Sequence, residues 1–146
     1  MNVLREIGRA WRAEMNAADK VRVLLALGFV FGAVSHVGWL IWHGDLWYHG
    51  PAPDWAPVFW YSICVIDFVV CWLLLARPRA GIIGAALTMI TTLIVNWTQF
   101  STFEFGFNYV LIGLTLFGAL VAATAAWLWV SAKWKLSPTS SGRSAG

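Results

Sequence analysis

Four long apolar runs, separated by short polar connections, occupy most of the chain, at about 22–43, 57–76, 80–100 and 108–131. At ~1.5 Å of rise per residue, about 20 helical residues cross a ~30 Å hydrocarbon layer. Irregular backbone facing lipid would leave its N–H and C=O groups unpaired, so each run is expected to be a helix. The fold expected is all-α: a polytopic membrane protein with a four-transmembrane-helix bundle, residues 1–132 forming one domain. Residues 133–146, rich in Ser and Gly, are expected to be a flexible tail. Ahead of the first run, "VLREIGRAWRAEM" places Leu4, Ile7, Trp11 and Met15 at helical intervals, with Arg5, Arg9 and Arg12 elsewhere on the wheel. That pattern predicts a short interfacial helix over residues 1–16. Asn16 followed by Asp19 is a helix start leading into the first span.

Composition sharpens this reading. The 146 residues are 60% hydrophobic and 12% charged, against roughly 25% charged in a soluble domain. All ten basic residues fall on one side of a four-span layout: Arg5, Arg9, Arg12, Lys20 and Arg22 before span one, Arg77 and Arg79 between spans two and three, and Lys133, Lys135 and Arg143 after span four. The opposite loops carry Asp45, Asp54, Glu104 and His49. The positive-inside rule then places both termini in the cytoplasm. The net charge of +3 is a topology signal and calls for no nucleic-acid partner. The Ala-, Gly- and Arg-rich composition points to a bacterial inner membrane. Five basic residues, an apolar run and "GAVS" resemble a cleavable signal, but the run continues to Trp42, as an anchor's would.

Cys64 and Cys71 lie seven residues apart on one expected helix. That is a rise of about 10.5 Å, and a disulfide needs Cα atoms within ~7 Å, so they cannot bridge each other. Of eleven tryptophans, Trp47, Trp55 and Trp60 mark the outer boundary, and Trp11, Trp129 and Trp134 the inner one. Trp39, Trp72 and Trp97 sit deeper, where lipid contact, packing or a pocket wall are all open to them.

Asp67 is the anomaly. It lies ten residues after Pro57 and nine before Ala76, near the bilayer midplane. An aspartate there costs ~2.5–3.5 kcal/mol on insertion scales and is by default a functional hypothesis. Span one places Gly28, Gly32, Ser35, His36, Trp39 and His43 at intervals of three or four, and span three does the same with Gly84, Thr88, Thr92, Asn96 and Gln99. Span four begins with Asn108 and Tyr109 and continues with Gly113, Ala119, Ala122, Ala123 and Ala126. By depth, His36, Ser62, Asp67, Asn96 and Gln99 converge between the midplane and the outer surface. A polar-lined cavity opening outward, or sideways into the outer leaflet, is expected there, with Trp39, Trp60, Thr92 and Trp97 as further lining residues. The plainer alternative is that Ser and Thr bond their own i−4 carbonyls and that Asn, Gln and His36 merely tie helices together.

The outer loop "HGDLWYHGPAPDWAP" holds His43, Asp45, His49 and Asp54 at spacings that match no metal motif, so no metal is expected and an interfacial aromatic lid is the better reading. No phosphate loop, nucleophile elbow or HExxH sequence is present, and no pair of histidines on two spans offers a haem site, so no cofactor is expected.

"SHVGWLIWHGDL", "DWAPVFWYSICVIDF" and "TMITTLIVNWTQF", in that span order, resemble the EXPERA group, which includes emopamil-binding sterol isomerases and the sigma-2 receptor. The resemblance implies a cavity between helices for a sterol or hydrophobic amine, two carboxylates near the ligand at Asp45 and Asp67, and polar and aromatic pocket groups at Asn96 and Trp97. The chain departs from that family in having aspartates for its glutamates and no proline after the span-two acid. Three readings follow. One is a module binding a hydrophobic ligand at Asp67. A second is a sterol- or isoprenoid-type isomerase or cyclase, with Asp67 as proton donor, His36 or Asp45 accepting the proton, and Trp39, Trp60 and Trp97 shielding a cation. The third is a structural subunit or assembly factor of a membrane complex. The partners expected are membrane lipids, a hydrophobic small molecule and, in the third reading, another membrane protein or a second copy.

Overall fold

A computed structural model of the protein describes residues 15–43, 53, 55–99 and 107–132. The expected interfacial helix (except Met15 and Asn16), residues 44–52 and 54 of the outer loop, Asp45 among them, and the tail lie outside the described residues. Four helices follow in order: α1 (Ala17–His43), α2 (Trp55–Ala76), α3 (Pro78–Thr98) and α4 (Phe107–Ser131). Each is long and apolar enough to cross a membrane.

The helix boundaries have local causes. Asn16 caps α1, its Oδ1 accepting the Asp19 N–H at 2.9 Å, and Asp19 in the first turn also pairs with Arg22. The negative charge there complements the helix dipole. The helix therefore begins five residues earlier than the apolar run does and extends about 40 Å, longer than the hydrocarbon layer. Between α2 and α3 only Arg77 lies outside a helix. Its extended backbone (φ −136°, ψ 76°) reverses the chain, and Pro78 starts α3 where a missing N–H costs nothing. So tight a turn brings backbone onto backbone. A methyl at Gly81 would stand 2.4 Å from the Cα and N of Leu74.

Sequential helices pack against each other and α4 returns to touch α1, closing an up-down ring. The pairs α2–α3 and α3–α4 are short-looped and antiparallel, as in a simple bundle. Ala33, Ala56, Ile63, Val95 and Leu111 are buried in the far half, and a connected apolar core lies toward the end that carries Arg22, Arg77 and Arg79, called here the basic end. It comprises Ala18, Leu25, Ala26 and Phe29 of α1, Val70 and Leu74 of α2, Ile82, Ala85 and Met89 of α3, and Val121 and Leu128 of α4. The Phe117 ring meets Phe29 edge-on, with centroids 5.4 Å apart, and fills the space beside Gly28. Arg79 lies over the Trp129 ring at 5.4 Å, tying the start of α3 to the end of α4.

The exterior is as apolar as the core. Phe31, Ile41, Val58, Val65, Ile90, Ile94, Val110, Leu116 and Val130 are all exposed. A soluble monomer does not carry contiguous apolar patches of this extent, whereas a lipid-facing surface requires them. The chain is an integral membrane protein. On α4 the small residues Gly113, Ala119, Ala122, Ala123 and Ala126 face outward, and Gly118, Val121 and Leu128 take the inner face instead.

Candidate functional site

Depth and register bring one set of polar groups to a common level. Gly32 is ten residues along α1 from Arg22, Asp67 nine from the end of α2, and Thr88 ten from the start of α3. At ~1.5 Å per residue all three lie about 15 Å from the basic end, close to the bilayer midplane. Contacts confirm the level on two of these helices. A methyl at Gly32 would stand 2.8 Å from Asp67 Oδ2, so the carboxylate occupies the room that the missing side chain leaves. On the other side of α2, Val70 packs against Gly84. One turn outward from that contact, Asp67 stands level with Thr88.

Asp67 is 6% exposed and lies in the buried stripe of α2, between Cys64 and Val70. No hydrogen bond from a described residue reaches its carboxylate. The apolar core layer of Phe29, Val70 and Ala85 lies on its basic side. On its far side polar groups join the buried apolar side chains of Ile63, Val95 and Leu111. Thr88, Thr92, Asn96 and Gln99, all between 6% and 8% exposed, form a file along the inner face of α3. Asn96 Nδ2 donates to the Thr92 carbonyl at 2.8 Å. The Thr92 hydroxyl is buried with no hydrogen-bond partner. His36, one turn outward from Gly32, is half-buried, and Trp60, two turns outward from Asp67, is buried.

Other expected members lie elsewhere. Ser62 is exposed and donates to the Val58 carbonyl at 2.7 Å. It is five residues from Asp67, which turns it about 140° away on the helix. Trp97 is 54% exposed and donates from Nε1 to Thr115 Oγ1 at 3.2 Å, so it staples α3 to α4 on the outer face. Trp39 is 50% exposed and stands at the rim. Trp60 turns inward and is no part of an outer aromatic belt. Asp45 lies outside the described residues. Cys64 and Cys71 are free, as their separation requires. Among the described residues no three His, Cys, Asp or Glu side chains gather as a metal site would need.

Sequence reasoning missed that Gly32 is the acid's neighbour. The signal was present, since both residues sit at the same depth, but depth alone does not say which helices abut. A shallow cleft of about 180 Å³ also opens at the basic end, lined by Met15, Asp19, Arg22, Val23, Leu74 and Leu75, well away from Asp67.

Comparisons with protein-family models, with curated proteins and with solved structures give no match to the chain.

Proposed function

We propose that the protein binds a hydrophobic small molecule, of sterol, isoprenoid or amine-like chemistry, in the far half of the bundle with Asp67 as its polar anchor. The observation that carries this reading is the carboxylate seated against Gly32 at the midplane, buried and unmatched by a described hydrogen-bond donor. A purely structural acid would be expected to have such a donor, because an unpaired polar group costs more at low dielectric. His36, Thr92, Asn96 and Gln99 supply the remaining polar lining and Trp60 an aromatic wall, with Trp39 at the rim. Ser62 and Trp97 have no part in it. The distribution of basic residues supports an orientation with the basic end at the cytoplasm, and the composition supports a bacterial inner membrane.

Thermal unfolding in detergent against a panel of sterols, isoprenoids and hydrophobic amines tests the reading. At least one class should raise the unfolding temperature of the wild type and do so less, or not at all, for Asp67→Asn. Equal shifts in both proteins would remove Asp67 from the site, and no shift across the panel would remove the ligand class.

A further inference from the structure

We infer that the buried polar file of α3 is a one-sided access route, along which water and protons reach Asp67 from the far surface and not from the basic end. The inference deepens the reading above, and rests on Asp67 being the working group of that site.

Three observations point this way. The first is the arrangement of the file itself: Thr88, Thr92, Asn96 and Gln99 recur at intervals of four, four and three along one buried face, from the level of the acid to the last turn of α3. The second is the state of the Thr92 hydroxyl. Ser35, Ser62, Thr91, Thr115 and Thr124 each donate to the carbonyl four residues back, the usual way for a membrane helix to satisfy a hydroxyl. Thr92, one residue from Thr91, does not; it is buried with its oxygen unmatched. A buried hydroxyl lacking a protein partner is one that water would match where the space is polar and large enough, and Asn96 and Thr88 supply the polar neighbours. The third is what flanks Asp67 on either side: beyond it the polar file runs beside buried apolar side chains such as Ile63, Val95 and Leu111. On the basic side, Phe29, Val70, Ala85 and Phe117 form an apolar layer with no hydrogen-bonding side chain.

Few other groups can share the proton. His36 faces the region from α1, and Cys64 and Cys71 flank Asp67 on α2. Neither α3 between Arg79 and Gln99 nor α4 between Tyr109 and Ser131 carries a titratable side chain. A proton taken up by the carboxylate thus comes from far-side water and returns to it, with no net transfer across the membrane.

Cysteine accessibility tests this without any ligand, so its outcome is independent of the thermal screen. In a Cys64→Ala, Cys71→Ala background, single cysteines are placed at Thr92 and Asn96 in the file, at lipid-facing Thr91 and Ile94, and at Val70 in the core. Trp55→Cys marks the far end and Arg77→Cys the basic end. Right-side-out and inverted membrane vesicles are then treated with a charged, membrane-impermeant methanethiosulfonate, which needs a hydrated thiolate. Thr92→Cys and Asn96→Cys should react from the side that modifies Trp55→Cys, roughly tenfold or more faster than Thr91→Cys and Ile94→Cys. Val70→Cys should stay unmodified from both sides. Rates in the file no faster than at Thr91, or reaction of the file or of Val70→Cys from the Arg77 side, would overturn the proposal. Two independent file positions keep the test decisive if one variant fails to accumulate.

Discussion

Asp67 occupies a place where an apolar residue would be cheaper. Leucine matches its branching at Cγ and would fill the same space beside Gly32. Replacing a buried charged group by an apolar one of similar shape is often stabilising. Asp67→Leu should therefore raise the unfolding free energy by roughly 1–3 kcal/mol, the order of the insertion cost removed. Chemical denaturation in mixed micelles measures it, and a loss of stability would assign the acid to holding the bundle together. The residue's importance was legible in the sequence because a carboxylate is conspicuous among apolar neighbours. The orientation of Ser62 was signalled too, since its offset from Asp67 points it away, although depth alone grouped it with the acid. The burial of Thr92 was legible as well, from its spacing to Thr88 and Asn96, but that its hydroxyl goes unmatched while that of Thr91 bonds its own helix was not. A helix that is apolar all round gives no hydropathy contrast between its lipid face and its inner face, and only the packed neighbours separate the two.

The elements themselves were easier to read. Charged residues, Pro and Gly punctuate the apolar runs, so each helix was expected within a few residues of where it lies. The largest difference, at α1, comes from Asn16, whose cap lets the helix run through Lys20 and Arg22. How the elements pack depends on single residues that composition does not single out. Gly81 is one. A methyl there would meet the backbone of Leu73 and Leu74 at 2.4–2.6 Å, and backbone cannot swing aside as a side-chain tip can. Gly81→Ala should cost about 3 kcal/mol, the upper range for overpacking. The same denaturation assay should show it, with Gly113→Ala, where nothing lies within 4 Å, close to wild type. Span four left its faces open in the sequence for a related reason. Its many alanines fit either a packing face or a lipid face, and the inner face went to Gly118, Val121 and Leu128.

Across the whole molecule the two ends differ in kind. The basic end is welded by interlocking apolar side chains, while the far half adds the buried polar groups of α3 to its buried apolar ones. Phe117 is central to the weld, because its ring joins α4 to Gly28 and Phe29 of α1. Phe117→Ala should lower stability by about 3 kcal/mol, the low end for a phenylalanine truncation given its partial burial. It should also loosen α4 from α1 while α2 and α3 stay paired, as disulfide trapping between engineered cysteines on each helix pair would show. An up-down layout and an apolar exterior were both expected from the runs alone. The polar groups of the far half were expected too, from their depth along the spans; the layer that joins Phe29 to Phe117 was not, because it arises from how residues on different helices share one level.

With Arg77 alone between them, α2 and α3 have no slack to part. During synthesis neither should settle in the bilayer while the other waits outside, so the pair is expected to enter as a single hairpin. The acid then travels beside the threonines of its partner strand of helix, and is never presented to lipid by a solitary segment.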